Sequence, residues 1–397
     1  MNVAATISAT GAAAQSWEAI VIGAGPAGSI VARELARRGA ATLLVERQAF
    51  PRAKVCGGCL NGLALAALKS LQLEQVLGAA QAAPTRQLMI HSRQRSVTLE
   101  LPGGVAIQRA PFDAALARAA IEAGAAFLPE TTATVAAGDP PGAACRTVAL
   151  TQRDREMHRA HARLVIAADG LGHPSVRHMD AFQNCTKEAA RLGLALSMEG
   201  PRDVYGVGTI HMAVAEGGYV GLVRTADGRL NVAAAVDSAA LRAAASPAHF
   251  VNHILRNSCL PPLWDAGGAM CRGTLPLTRH SRRLAHERVI LLGDAAGYVE
   301  PFTGEGMGWA MRSAAALAPI AMQLLNSWEA PRVQAWERGQ RWEMARGQVA
   351  CRIVSEVLRR PRLVHLALAA LQKVPAAARP IVRRIHGADV SWETGAL

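Results

Sequence analysis

The stretch Ser16–Glu46, SWEAIVIGAGPAGSIVARELARRGAATLLVE, constrains this chain more than any other. Ala19, Ile20, Val21 and Ile22 form a short apolar run of the kind that fills the middle of a parallel sheet. Gly23, Gly25 and Gly28 follow at once as G-x-G-x-x-G, where strand must turn into helix, and that context separates a dinucleotide-binding turn from a chance match. The first glycine permits the tight turn and the second lets backbone approach a pyrophosphate. The third lets the helix from Pro26 to about Arg38 lie close to the strand. Free N–H groups and the helix dipole favour an anion at that N-terminus. Gly39 closes the helix, Ala41–Val45 forms a second strand, and Glu46 stands 18 residues after Gly28, where an acid accepts from adenosine ribose hydroxyls.

A length of 397 residues allows two or three domains and a large core. Seven scattered cysteines, an odd number, give no disulfide framework and suit a reducing cytoplasm, the expected location. Residues 1–15 have neither a basic start nor a strong apolar centre, so a disordered tail is expected rather than a signal peptide. No uninterrupted apolar run reaches the roughly 18 residues that a membrane span needs. The formal charge of +13 points to nucleic acid or to an anionic membrane or cofactor. Aromatic residues make up only 4% and nucleic-acid motifs are missing, so stacking platforms are scarce and no nucleic-acid partner is expected.

Along the chain, FPRAKVCGGCL (Phe50–Leu60) is a basic, glycine-rich loop, followed by an expected helix over Leu63–Leu77 and a strand pair within Gln87–Ile107. Arg109 precedes Pro111, Phe112 and Asp113 at the start of a helix that ends near Ala123. Ala126–Val135, Arg146–Gln152 and Ala162–Ala167 read as strands, the last delivering Asp169 and Gly170 into a loop. GGYVGLVRTADGRLNVAAAV reads as a hairpin turning at Ala226, Asp227 and Gly228, with a covering helix over Ala239–Asn257. Arg288–Leu292 returns to the parallel sheet, and everything from Thr303 onward reads as helix, broken at Pro331, Pro361, Pro375 and Pro380.

Three stretches now line up: the glycine turn with Glu46, VIAADGLGHPSVR with Asp169 and Gly170, and RVILLGDAAGYVEPFTGEGMGWAMRSA. Together, over roughly residues 16 to 330, they resemble the FAD-dependent superfamily of the p-hydroxybenzoate hydroxylase type, closest to its geranylgeranyl reductase-like and FAD-binding monooxygenase group. The resemblance implies an α/β fold: a Rossmann-type FAD-binding domain interleaved with a mostly antiparallel substrate domain, and a helical C-terminal region. The FAD-binding domain is expected over 16–82, 107–180 and 276–330, the substrate domain over 83–106 and 181–275, and the C-terminal helices over 331–397. The implied cofactor positions are Gly23, Gly25, Pro26, Ala27, Gly28, Glu46, Arg47, Arg109, Asp169 and Gly170. From the third stretch come Gly293, Asp294, Pro301, Gly304, Gly306 and Met307. Asp294 matches the aspartate on the flavin ribitol. His173 and Pro174 depart from the commoner spacing to Ser175. With one dinucleotide turn only, a nicotinamide donor, NAD(P)H, is expected to dock transiently.

His211, Tyr219 and Leu222 are the expected substrate-pocket residues, in a pocket for a lipophilic small molecule. Cys56 and Cys59 form C-x-x-C, open to three readings: Cys56 lining the pocket as its position in the resemblance implies, a redox dithiol, or plain packing. Arg52 and Lys54 read as solvated. The first expectation for the reaction is hydroxylation of a polyketide- or isoprenoid-derived metabolite, which demands water exclusion and no protein nucleophile. The alternative is a double-bond reductase in which Cys56 is a tentative catalytic acid. A non-catalytic escort protein is third. Archaeal prenyl reductases carry Tyr-x-Trp-x-Phe-Pro-Lys where this chain has Tyr219, Gly221, Val223, Arg224 and Thr225, which weakens the isoprenoid reading. The halogenase Trp-x-Trp-x-Ile-Pro string does not occur. Beyond the resemblance, Leu363, Val364, Leu366, Leu368, Leu371 and Val374 recur at helical spacing among arginines. They suit either a cover for the flavin domain or a face resting on anionic membrane, at the inner side of the membrane bounding the cytoplasm.

Overall fold

The computed structural model describes residues 2–152, 156–264, 271–300 and 304–386. The short apolar runs assemble an eight-stranded sheet. Its parallel centre has Val289–Leu291, Met157–Ala167, Ser16–Ile22, Thr42–Val45 and Ala126–Leu128 side by side. Arg146–Thr151 and Thr132–Val135 extend it as an antiparallel hairpin, so the expected strand Ala126–Val135 is two strands. The helix Pro26–Ala36 covers one face, buried over nearly its whole length, with Pro26 in the first turn where a missing N–H costs nothing. Helix Glu305–Asn326 packs on it, its buried Ala310, Ala314, Leu317, Ala318 and Ala321 recurring at helical spacing and letting the two backbones come close.

The N-terminal residues are not a tail. Ser8 caps a helix over Ala9–Ala13, and Trp17 Nε1 donates to Ala12 O at 2.8 Å. Ala9 and Ala12 join the core beneath the sheet. Alanines are too small to register as an apolar core in the sequence, yet they fill a shallow site against Trp17.

A second, seven-stranded sheet runs in the order Arg272–Pro276, Leu192–Met198, Leu230–Val236, Gly218–Arg224, Thr209–Ala215, Gln87–Ser92, Arg95–Glu100. Every pairing is antiparallel except that between Thr209–Ala215 and Gln87–Ser92. Ala83–Pro84 and Gly104–Ala106 instead join Cys59–Asn61 in a small sheet that ties the CGGC loop to the body. The covering helix is split, Ser238–Ala243 and Pro247–Arg256, because Ser246 caps the second before Pro247. It packs on one face with Val220, Leu222 and Val232. The opposite face, with Ile210, Met212, Tyr219 and Val223, looks towards the FAD-binding half.

The C-terminal helices are Ala330–Leu358, Pro361–Lys373 and Arg379–His386. The long helix begins on the FAD-binding half, whose core takes Val333 and Trp336, whereas its end and the two later helices cover the substrate sheet and not the flavin domain: Leu358, Val364, Leu368 and Val382 cluster with Leu88, Val97 and Leu99. No helix among the described residues is long and apolar enough to cross a membrane.

His211 lies on the face away from the cavity, contrary to the expectation that it lines the substrate pocket. The period-two alternation that puts Ile210 and Met212 inward turns His211 outward. There its Nδ1 meets His91 Nε2 at 3.2 Å, with Tyr205 packed edge-on. Burial, and then His91, pushes His211 down to about 4. Burial lowers His91 as well. The fold accepts the neutral rings, so their contribution is complete above the ordinary value of 6.5 and is lost as pH falls towards about 4. That loss is about 2 kcal/mol. Urea titrations at pH 7.5 and pH 5 should therefore show a drop in stability that His211→Gln reduces. An equal drop in the variant would show that the pair does not govern acid sensitivity.

Candidate FAD site and its cavity

The glycine turn behaves as its sequence requires. A Cβ on Gly28 would lie 1.8 Å from Gly23 O, so helix and strand approach as closely as glycine permits. Gly25, by contrast, faces open space: its nearest neighbour would be Arg52 Nη2 at 3.6 Å. A cavity of about 900 Å³ begins there, bounded by Gly23, Gly25, Pro26 and Ala27. Glu46, Arg47 and Thr131–Thr134 continue its wall, with Asp169 and Gly170 across the strand ends. Asp294, Gly304, Gly306 and Met307 come from the third motif. The substrate sheet closes the other side with Met212, Tyr219, Gly221 and Val223. Leu222 touches the cavity, but its side chain belongs to the cluster on the helix-covered face. Gly28 and Gly293 support the walls from behind, a Cβ on Gly293 coming 2.9 Å from Ala27. Pro301 lies outside the described residues.

Glu46 anchors one end. Its Oε2 accepts from Ala24 N at 3.0 Å and its Oε1 from Gln48 N at 3.1 Å. Arg52 is not solvated: buried, it stands 3.3 Å from Glu46 Oε2 through Nε and 3.3 Å from Asp113 Oδ2 through Nη1. Asp113 in turn receives both Nε and Nη2 of Arg109, at 2.9 and 2.8 Å. Burial lowers Arg109, but Asp113 and then Cys56 raise it above its ordinary value, so it is a fixed cation. One polar chain therefore runs from the glycine turn, through Glu46, Arg52 and Asp113, to Arg109, near Cys56.

Sequence reading missed Arg52 because a basic side chain in a loop is usually solvated. The signal lay in its company, a proline, two glycines and two cysteines within eleven residues. Lys54 is exposed, as expected, and lines the cavity. Desolvation first, and Arg52 second, pull its ammonium below the ordinary range, against Asp294. Burial raises the Asp294 carboxyl, with Lys54 and Arg109 opposing. Asp169 also rises by burial; its Oδ2 accepts from Ser175 N at 2.8 Å, and its buried Oδ1 has no hydrogen-bond partner.

Cys59 has a packing role. A Cβ on Gly304, which has φ 91° at the start of helix Glu305–Asn326, would meet Cys59 O at 2.5 Å, so the CGGC loop and the third motif are in direct contact. Burial, then Cys56 and Glu305, push Cys59 up to about 12 and keep it a thiol. Cys56 borders the cavity, its sulfur accepting from Gly58 N at 3.3 Å.

These residues fit a flavin dinucleotide. Gly25 leaves room at a helix N-terminus for a pyrophosphate, Asp169 offers an orphaned acceptor, and cations and carboxylates alternate along a cleft between two domains. Fold and site define an FAD-dependent oxidoreductase. The family model described as the FAD binding domain matches residues 16–333, and the chain belongs to that family. It is 25% identical over 324 residues to digeranylgeranylglycerophospholipid reductase 3 of Methanosphaera stadtmanae, covering 78% of each chain. It is 27% identical over 329 residues to a menaquinone reductase of Mycobacterium tuberculosis, covering 79% of this chain and 77% of the relative. A flavoprotein/dehydrogenase from Cytophaga hutchinsonii shares the fold with a TM-score of 0.77 at 18% identity, over 94% of this chain and 93% of that one.

Gly25→Ala should leave the flavin-free protein about as stable as wild type, because the added methyl meets only Arg52, yet reduce FAD occupancy strongly by filling the pyrophosphate space. Asp294→Ala should also lower occupancy, through loss of a hydrogen-bond acceptor. Flavin released by heat and measured by absorbance checks both. Normal occupancy in the two variants would remove the site assignment.

Proposed function

We propose that this enzyme is a flavin-dependent reductase of carbon–carbon double bonds in a lipophilic, isoprenoid-type substrate. The observation that carries this reading is the placement of Cys56. Its sulfur borders the cavity, accepts from Gly58 N–H at 3.3 Å and stands near the Arg109 cation. Hydroxylation, the first expectation from sequence, needs no such acid, whereas saturation of a double bond does. The names of the two curated relatives, a digeranylgeranyl lipid reductase and a menaquinone reductase, support the same substrate class.

FAD, once bound and reduced, supplies the hydride equivalent; NAD(P)H is the proposed donor. The chain's own residues do the rest. Met212, Tyr219, Val223 and Leu277 make an apolar wall that holds a hydrocarbon chain and excludes water. Arg109, locked by Asp113, places a fixed cation near the Cys56 side chain. Cys56 transfers its proton to the substrate carbon opposite the hydride, and its thiolate, beside the Arg109 cation, regains a proton from water. The lost Tyr-x-Trp-x-Phe pattern changes the wall and not the acid: Gly221 stands where a tryptophan would, and a Cβ there would lie 3.0 Å from Met212 Sδ.

Dithionite-reduced, FAD-loaded protein incubated without oxygen with a geranylgeranyl lipid or a prenylquinone should add two hydrogens per double bond, read by mass spectrometry. Cys56→Ser should slow this by roughly 100-fold or more, within the range for a general acid, with FAD content unchanged. A product that forms only with oxygen and gains an oxygen atom would replace this reading with hydroxylation.

A further inference from the structure

Exposed large apolar side chains gather on the C-terminal helices. Trp342 is 61% exposed and Ile353 57% on Ala330–Leu358, while Leu366 is 63% exposed on Pro361–Lys373. Val349, Leu363, Val374 and Ile381 are exposed too. Trp342, Arg346, Val349 and Ile353 are spaced by four, three and four residues, which puts them on one face of the long helix. The Arg346 guanidinium lies over the Trp342 ring, 5.5 Å from its centre. This face is opposite to the one that buries Gln340, Gln348 and Cys351.

The charge of the same segment is one-sided. Residues 331–386 hold twelve Arg and Lys against three Glu, most of the chain's +13. The three acids are all committed to the body of the protein. Glu337 accepts from the Ala285 amide at 3.0 Å, Glu343 pairs with Arg312 at 3.1 Å, and Glu356 pairs with Lys187 at 2.5 Å. What remains outward is an aliphatic and indole stripe edged by Arg338, Arg346 and Arg352, with Arg383 and Arg384 exposed on the last helix.

We propose that this face docks on an anionic lipid surface, with Trp342, Ile353 and Leu366 entering the headgroup boundary and the arginines pairing with lipid phosphates. Charge complementarity selects this occupant. A second copy meeting the same face through a two-fold axis would press two cationic surfaces together. A nucleic acid would match the arginines and leave the aliphatic stripe unburied. The stripe and the stacked tryptophan fit the lipid boundary, where a basic amphipathic helix lies in the plane of the interface. The inner sides of the same helices pack on the face of the substrate sheet that bounds the cavity, so docking would set that sheet beside a reservoir of hydrocarbon. Docking requires only this surface, whichever reaction the cavity performs.

Sedimentation with vesicles of phosphatidylcholine, with and without phosphatidylglycerol, tests it. The FAD-loaded protein should bind anionic vesicles at least about tenfold better than neutral ones at low salt, and high salt should release it. The double variant Trp342→Ser, Ile353→Ser and the double variant Arg383→Glu, Arg384→Glu should each lose binding while keeping wild-type flavin content. Three results would each overturn the proposal: equal binding to the two vesicle types, stripe or charge variants that bind as wild type, or a soluble dimer that the stripe variant dissolves while vesicles capture nothing. So would duplex DNA binding that survives loss of the stripe in a protein that ignores vesicles.

Discussion

The Arg52 guanidinium, held between two carboxylates in a nearly dry interior, is the contact on which the site depends. Glu46 follows a strand of the parallel sheet and Asp113 lies within a helix more than sixty residues later, so Arg52 joins two elements that nothing local brings together. Removing one partner of such a buried group leaves an uncompensated charge and costs about 3 to 5 kcal/mol. Because Glu46 also takes the Ala24 amide, and Asp113 also holds Arg109, the same guanidinium links the mouth of the glycine turn to the cation near the cavity thiol. The loop that carries Arg52, Lys54 and Cys56 is thereby a structural part of the dinucleotide domain.

A second buried network fastens the three parts of the chain to one another. Arg191 meets Asp237 at 3.0 Å and Glu300 at 3.3 Å, and Arg359 reaches the same two carboxylates from the end of the long C-terminal helix. Tyr219, over whose ring Arg191 lies, brings the network to the cavity wall. Gln108 adds a neutral link, donating from the FAD-binding half to Ser197 and Thr225 of the substrate half. Ion pairs with one partner exposed are worth little in water, but here the Glu300 side chain is fully buried, which makes the positions of the C-terminal helices and of the third motif mutually dependent.

Local chemistry made the dinucleotide half legible in the sequence. A strand of apolar residues, three glycines at fixed spacing and an acid at the end of the next strand are enforced by backbone sterics and hydrogen bonding within some thirty residues, and Gly28 and Glu46 stand where that reasoning puts them, while Asp294, placed only by the resemblance, lines the same cavity. What escaped depends on partners far away in sequence. Which face of Thr209–Ala215 meets the cavity is fixed by the other six strands and not by its own alternation, since Met212 and His211 are both buried. Arg52 is buried because two distant acids await it. The helix Ala9–Ala13 forms because Trp17 and the sheet floor offer it a surface, not because five small residues favour helix strongly.

We propose that FAD binding depends on the continuous buried polar chain Glu46–Arg52–Asp113–Arg109, whose member Asp113 does not line the cavity. Asp113 has no exposed surface and lies outside the cavity wall, so Asp113→Asn, which keeps the size and removes the charge, tests the chain without touching the binding surface. The measurement is the dissociation constant of FAD for folded Asp113→Asn against wild type, by titration of the flavin-free proteins. A loss of at least about tenfold is expected, the factor that corresponds to about 1.4 kcal/mol. An unchanged constant would mean that Arg52, Asp113 and Arg109 only pack the domain and that the cofactor is held without them.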